Sequence, residues 1–145
     1  MDEIDQKIVA ELLKDSRKSF REIARKVGVA TGTVLTRVRN MEKNGIIKGY
    51  TVLLDHEKLG YDLTAVIEIT VSKGRLLEVD REVAKKSNVC AVYDTTGLTD
   101  AIVIAKFKTR EELSKFTKSL LAIPYVERTN THLVLTTIKE DFRLI

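Results

Sequence analysis

Thr31, Thr33, Thr36, Arg37, Asn40 and Lys43, all between residues 31 and 43, can exchange hydrogen bonds with an external polar surface. They are short hydroxyls and long donors, and no carboxylate interrupts the first two turns of the stretch. Threonine can meet a hydrogen-bonding base edge or a thymine methyl, and arginine can hold guanine O6 and N7 together. Such a set is suited to reading bases in a major groove, and all six are candidate DNA contacts. Arg17, Lys18, Arg21, Arg25 and Lys26 precede it and Lys48 follows it. Residues 17–48 hold nine Lys+Arg against two Asp+Glu, whereas residues 51–145 hold fourteen of each. The excess positive charge therefore lies in the first third of the chain, where it suits a phosphate-facing surface. Arg17, Lys18, Arg21, Arg25 and Lys26 are assigned to positioning on the phosphate backbone rather than to reading, and Lys48 to one further phosphate contact.

Other chemistries find little support. Cys90 is the single cysteine, so no intrachain disulfide or cysteine-based metal cluster can form, and VCAVY around it reads as a strand with a small buried side chain. His56 falls in DHEKLG and His132 in a β-like run, neither beside a nucleophile. Asp94 and Asp100 could be called paired carboxylates, but acids flanking a turn are the commoner arrangement, and no phosphate-binding glycine loop occurs. No enzyme activity, metal or cofactor is expected. Hydrophobic content of 43%, 32% charged residues and one proline describe a globular chain. With no long apolar run and an acidic start, MDEIDQKIVA, in place of a basic leader, a cytoplasmic protein without membrane contact is expected.

The elements that must hold these side chains follow from periodicity. Ile4, Ile8 and Leu12, flanked by Val9 and Leu13, predict an amphipathic helix ending near Asp15. Ser19 with Glu22 is a capping-box pair opening a second helix, whose inner stripe is Ile23, Ala24 and Val27. Gly28 is placed to end it in a left-handed residue. A third helix over 31–44 turns Val34, Val38 and Met41 inward and stops at Gly45. Helix, glycine turn, helix is the helix-turn-helix arrangement. IIKGYTVLLD then predicts a short strand: either a wing beside the bundle or a tether in which Tyr50, Val52 and Leu54 pair with a second subunit.

From Leu63 the period changes to two, with Leu63, Ala65, Ile67, Ile69 and Val71 on one face of a strand. A helix over 75–86, strands over 89–95 and 100–108, a helix over 110–121 and a last strand over 126–139 complete a βαββαβ order. The expected fold class is α+β: a three-helix helix-turn-helix domain over 1–50, with or without a wing, a linker strand or hinge over 51–61, and a ferredoxin-like antiparallel-sheet domain over 62–145. One sheet face takes both helices. The other carries Val66, Ala91, Val103 and Val134 among threonines and is too apolar to stay in water, so a dimer through this face is expected. It would present two recognition helices to half-sites about 34 Å apart.

The segments REIARKVGVATGTVLTRVRNMEKNGIIKGY, LGYDLTAVIEITV, TTGLTD and VERTNTHLVL resemble, in order and spacing, the Lrp/AsnC (leucine-responsive/asparagine-synthesis) family of prokaryotic transcription regulators. The resemblance spans nearly the whole chain. It implies a sequence-specific DNA-binding regulator that dimerises, assembles further into species such as octamers, and binds an amino-acid-like effector between subunits. It also implies an effector loop at Gly97-Leu98-Thr99-Asp100, where Gly97 and Asp100 keep the family pattern. Glycine there would expose backbone N–H groups to a carboxylate, and aspartate could pair with an ammonium. Leu98 and Thr99 depart from the acidic-or-variable and aromatic residues usual between them. Ala65 and Thr131 fall at positions that similar proteins use around the ligand. Ala30 stands where the family often has a capping serine, which would pass the cap to Thr31 and withdraw its hydroxyl from DNA. An effector-independent architectural protein that coats DNA is the alternative, favoured by Leu98 and Thr99. Operator sequence, repression or activation, effector identity and the number of dimers are not legible from the sequence.

Overall fold

A computed structural model of the chain describes residues 1–144; Ile145, the last residue of the expected sheet domain, lies outside the described residues. The chain divides into two compact units, residues 1–53 together with the tail from Lys139, and residues 54–138.

The first unit is a three-helix bundle. Helix α1 spans Glu3–Lys14, α2 Phe20–Val27 and α3 Thr31–Lys43. Asp2 caps α1, and Ser19 caps α2 through the reciprocal box with Glu22, at 3.1 and 3.2 Å. Gly28 ends α2 at φ +81°. The Gly28 and Val29 N–H groups both donate to the Ala24 carbonyl, which closes the turn. Ile8, Leu12, Ile23, Ala24, Val34, Val38 and Met41 form the core. Ala24 is small enough to let α2 approach its neighbours closely. In the tail, the Asp141 carboxylate pairs with Arg143, whose guanidinium also donates to the Leu13 carbonyl at 3.4 Å.

Within the single chain residues 46–54 form no strand, so the expected wing beside the bundle is not built there. Alternating β-branched residues make a strand only where a ladder is available, and this unit holds no other strand among its described residues. Instead the Ile46 and Ile47 N–H groups donate to the Met41 carbonyl, and Tyr50 Oη donates to Glu42 Oε1 at 2.8 Å, folding the segment back on α3. Val52, Leu53 and Leu54 are exposed.

In the second unit β1 (Leu63–Val71), α4 (Leu76–Ala84), β2 (Val89–Asp94), β3 (Ala101–Phe107), α5 (Arg110–Leu121) and β4 (Val126–Leu133) follow in the ferredoxin-like order. The antiparallel sheet runs β2-β3-β1-β4. Ala65, Ile67, Ile69 and Val71 alternate inward against Val79 and Val83 of α4 and Phe116 and Leu120 of α5. Phe107 packs edge-on to Phe116, with ring centroids 5.1 Å apart.

Three expectations need correcting here. Val103 pairs with Ile67 and is buried on the helix-covered face; Ile102 and Ile104 take the open face with Val66 and Ala91. AIVIA is apolar at every position, so alternation could not assign its faces. Cys90 is exposed rather than buried, because the register shifts between Val89 and Ala91. The last strand ends at Leu133, not at 139.

Candidate nucleic-acid interface

The bundle sorts its cations by what they already hold. On α1, Glu11 accepts from Lys14 and Lys18, each at 2.7 Å, with Lys26 3.6 Å away. Those ammonium groups, Lys14 first and then Lys18, hold its carboxyl down at about 2. Lys18 and Lys26 therefore serve the bundle, while Arg17, Arg21 and Arg25 are exposed and form no ion pair among the described residues. Arg21 and Arg25, one turn apart on α2, retain the charge that a phosphate would meet.

On α3, Ala30 is the N-cap and offers no side-chain bond. Thr31 is the first helical residue, so its hydroxyl is not withdrawn as a cap and stays exposed. Thr36, Asn40 and Lys43 are exposed as well, and Thr33 is half-buried. Asp5, Gly32, Thr33, Thr36, Arg37 and Asn40 line a recess of about 670 Å³. Lys48 is exposed on the segment after α3.

Arg37, expected to read a base, is engaged within the bundle. Its Nη1 donates to Asp2 Oδ2 at 2.6 Å and to Asp5 Oδ1 at 3.0 Å, and its side chain is only 28% exposed. These carboxylates also form the capping box of α1, the Asp5 N–H reaching Asp2 Oδ1 at 2.9 Å and the Asp2 N–H reaching Asp5 Oδ2 at 3.0 Å. The guanidinium, above all, lowers the Asp2 carboxyl to about 2. Arg37 turns toward α1 because it lies close to the inward line of Val38 and Val34. Sequence reasoning passed over Arg39, which is exposed and pairs with no described residue. Helical periodicity counted outward from the buried Val34, Val38 and Met41 was the signal that could have found it.

The expected effector residues are only partly brought together. Leu98 is wholly exposed at the tip of the β2–β3 turn, beside Gly97 at φ +105°. Thr99 Oγ1 donates to the Ile69 carbonyl at 2.9 Å, and Asp100 Oδ2 accepts the Val71 N–H at 2.8 Å. Asp100 thus caps the end of β1. Leu98 and Thr99 border a recess of about 390 Å³ that also takes Glu68, Thr70, Arg128 and Asn130. Glu68 accepts from Asn130 and meets His132 Nε2, both at 2.9 Å. Ala65 is wholly buried on the helix-covered face, and Thr131, opposite Ile67, sits at the edge of that same face, so neither reaches this recess. Glu68, Arg128 and Asn130 were missed, although the open-face alternation of β1 already exposed Glu68.

Asp94 lies beside Asp80 of α4, and the two border one recess. Asp80 Oδ1 is buried without a hydrogen-bond partner, and burial, then the Asp94 carboxylate, pushes its carboxyl up to about 7.

Comparison with known proteins matches residues 1–48 to a winged helix-turn-helix DNA-binding model and residues 64–144 to the Lrp/AsnC ligand binding domain. An uncharacterised HTH-type transcriptional regulator of Pyrococcus abyssi is 50% identical over 144 residues, covering 99% of this chain and 98% of its own. LrpC of Bacillus subtilis superimposes with a TM-score of 0.85 at 31% identity, over 97% of this chain and 99% of its own. A transcriptional regulator of Neisseria meningitidis, solved as its L-Met complex, gives 0.90 at 28%, over 100% and 96%.

Proposed function

The chain belongs to the Lrp/AsnC family of helix-turn-helix DNA-binding transcriptional regulators, not to an enzyme family, and we propose that it is a sequence-specific regulator acting as a dimer or larger homo-oligomer on double-stranded operator DNA. The observation that carries this reading is the outer face of α3, where Thr36, Asn40 and Lys43 stand exposed with no carboxylate among them and unpaired Arg21 and Arg25 flank them on α2. In this reading residues 1–50 bind DNA, with Thr31 and Thr33 toward bases and Lys48 toward phosphate. Residues 51–61 are a hinge and 62–145 the assembly and sensing part. No helix among the described residues is long and apolar enough to cross a membrane, which accords with work on DNA in the cytoplasm.

An amino-acid-like effector held at subunit interfaces would shift assembly or DNA geometry. The meningococcal relative's L-Met complex supports this, as does the recess beside Gly97, Leu98 and Thr99, which offers Glu68 to an ammonium and Arg128 to a carboxylate. Mapping bound genomic sites with and without added amino acids tests both halves of the reading. Discrete sites sharing a sequence, with occupancy that changes for one compound, are expected; uniform coverage contradicts it.

The effector-independent coating protein draws on Asp100, whose carboxylate is already bonded to Val71 N–H. A thermal-shift screen of the common amino acids separates the two. A ligand at a hundredfold excess over its Kd stabilises by about 2.7 kcal/mol, while no shift with any compound favours coating.

A further inference from the structure

We propose that DNA approaches α3 along the line Gly32, Thr36, Arg39 and Lys43, with Gly32 the point of closest approach and Arg39 the arginine that reads a base, while Arg37 is a positioning residue; this rests on the reading that α3 enters the major groove.

Successive residues of a helix turn by about 100°. Opposite the buried line of Val34, Val38 and Met41 lie Gly32, Thr36, Arg39 and Lys43, spaced four, three and four apart, and all four are exposed. Arg37 falls off this line by about 130°, more than a third of a turn, on the side facing α1.

Gly32 is the observation that points outside the molecule. A helical glycine disfavours the folded state relative to alanine, so it calls for a local reason. The protein offers none: φ at Gly32 is not in the left-handed region, and a Cβ there would meet nothing within 4 Å. A surface that comes against the helix from outside supplies the reason, since a bare Cα lets the helix seat deeper. Arg39 lies two turns beyond, with no partner among the described residues. Its planar fork is therefore available for two parallel hydrogen bonds to one guanine. Arg37 is committed to Asp2 and Asp5. Were it to swing out to a base, two carboxylates would be left unneutralised beside the DNA phosphates. By keeping them neutralised, Arg37 holds α1 against α3 and maintains the basic character of the surface.

The test uses the full chain and the duplex that it selects from a random-sequence library, with random DNA as competitor at fixed salt. Arg39→Ala is expected to leave the Tm in place and to lower affinity for the selected duplex about tenfold or more, eroding the preference over random DNA. Arg39→Lys restores binding to random DNA but not the preference, because an ammonium lacks the fork. Gly32→Ala raises the Tm by a few degrees and still weakens DNA binding, a combination that a purely structural role cannot produce. Arg37→Ala lowers the Tm and weakens all DNA alike, leaving the preference intact. The proposal is overturned if Arg39→Ala keeps full preference, if Gly32→Ala binds as the parent does, or if Arg37→Ala is the variant that loses preference. Normal selection by the parent with no effect of any α3 variant sinks the groove assignment as well. A library that yields no common sequence sinks the sequence-specific reading itself, and the proposal with it.

Discussion

A guanidinium that already holds carboxylates at 2.6 and 3.0 Å is poorly placed to read a base, and this separates Arg37 from Arg39 although two positions of sequence do not. Apart from Arg39, the donor set of α3 was legible from residue types alone. Its division was not, because Asp2 and Asp5 lie more than thirty positions away from Arg37 and nothing local announces the ion pairs. The same holds for Glu11, which engages Lys18 and Lys26. Two pH responses follow. Asp2 and Glu11 are depressed, so their contribution to stability is complete above the usual carboxylate range and is lost as pH falls toward about 2. Asp2→Asn should flatten the acid limb of a Tm-against-pH curve. Asp80 has the opposite sign: the folded chain keeps its proton up to about 7, so this group's contribution declines as pH rises from about 4 to about 7. Asp80→Asn is expected to melt a few degrees above the parent at pH 8 and close to it at pH 5. An equal difference at both values would show that the carboxylate pair is not the cause.

At the scale of elements, the sequence announced the five helices and four strands of the described residues through periods of 3.6 and 2. The helix-turn-helix was the most legible, because Ser19, Glu22, Ala24 and Gly28 each have a local mechanical reason. Gly28→Ala should cost about 1–2 kcal/mol in chemical denaturation. The cause would be the left-handed backbone alone, since a Cβ there meets nothing within 4 Å. Ser19→Ala should cost about 1 kcal/mol by opening the capping box of α2. What failed did so where local pattern carries no information on faces or partners. The unbroken apolar run of β3 hid the orientation of Val103, the register shift after Val89 turned Cys90 outward, and the alternating residues 46–54 had no ladder to join. Tyr125 was equally silent: it takes φ +76° after Pro124, where its carbonyl accepts the Ser72 N–H at 2.8 Å and Arg75 lies 4.8 Å above its ring.

At the scale of the whole molecule, one face of the sheet is covered by no helix. Val66, Ile102 and Ile104 are half-buried there and Tyr93 is exposed, beside the charged cluster of Glu68, Arg128 and His132. An apolar centre with a polar border is the composition of a subunit interface. If the dimer forms through it, Ile104→Glu should shift the solution mass toward the 16.4 kDa of one chain and weaken operator binding, because the two recognition helices would no longer be linked. Light scattering coupled to size-exclusion chromatography reads the first effect. The family was legible across both units from motif order, while the six expected effector residues divide in the structure: four lie at the β2–β3 turn, and Ala65 and Thr131 fall on the other side of the sheet. Resemblance carried over positions without the face each strand residue would take.

The central claim is that the outer face of α3 reads a sequence. It is tested most directly by competing the selected duplex against random DNA for the parent chain at physiological salt. A preference of about a thousandfold or more is predicted, the range in which specific regulators separate operators from bulk DNA. Equal affinity for the two at matched salt would contradict it and leave a protein that binds the DNA backbone alone.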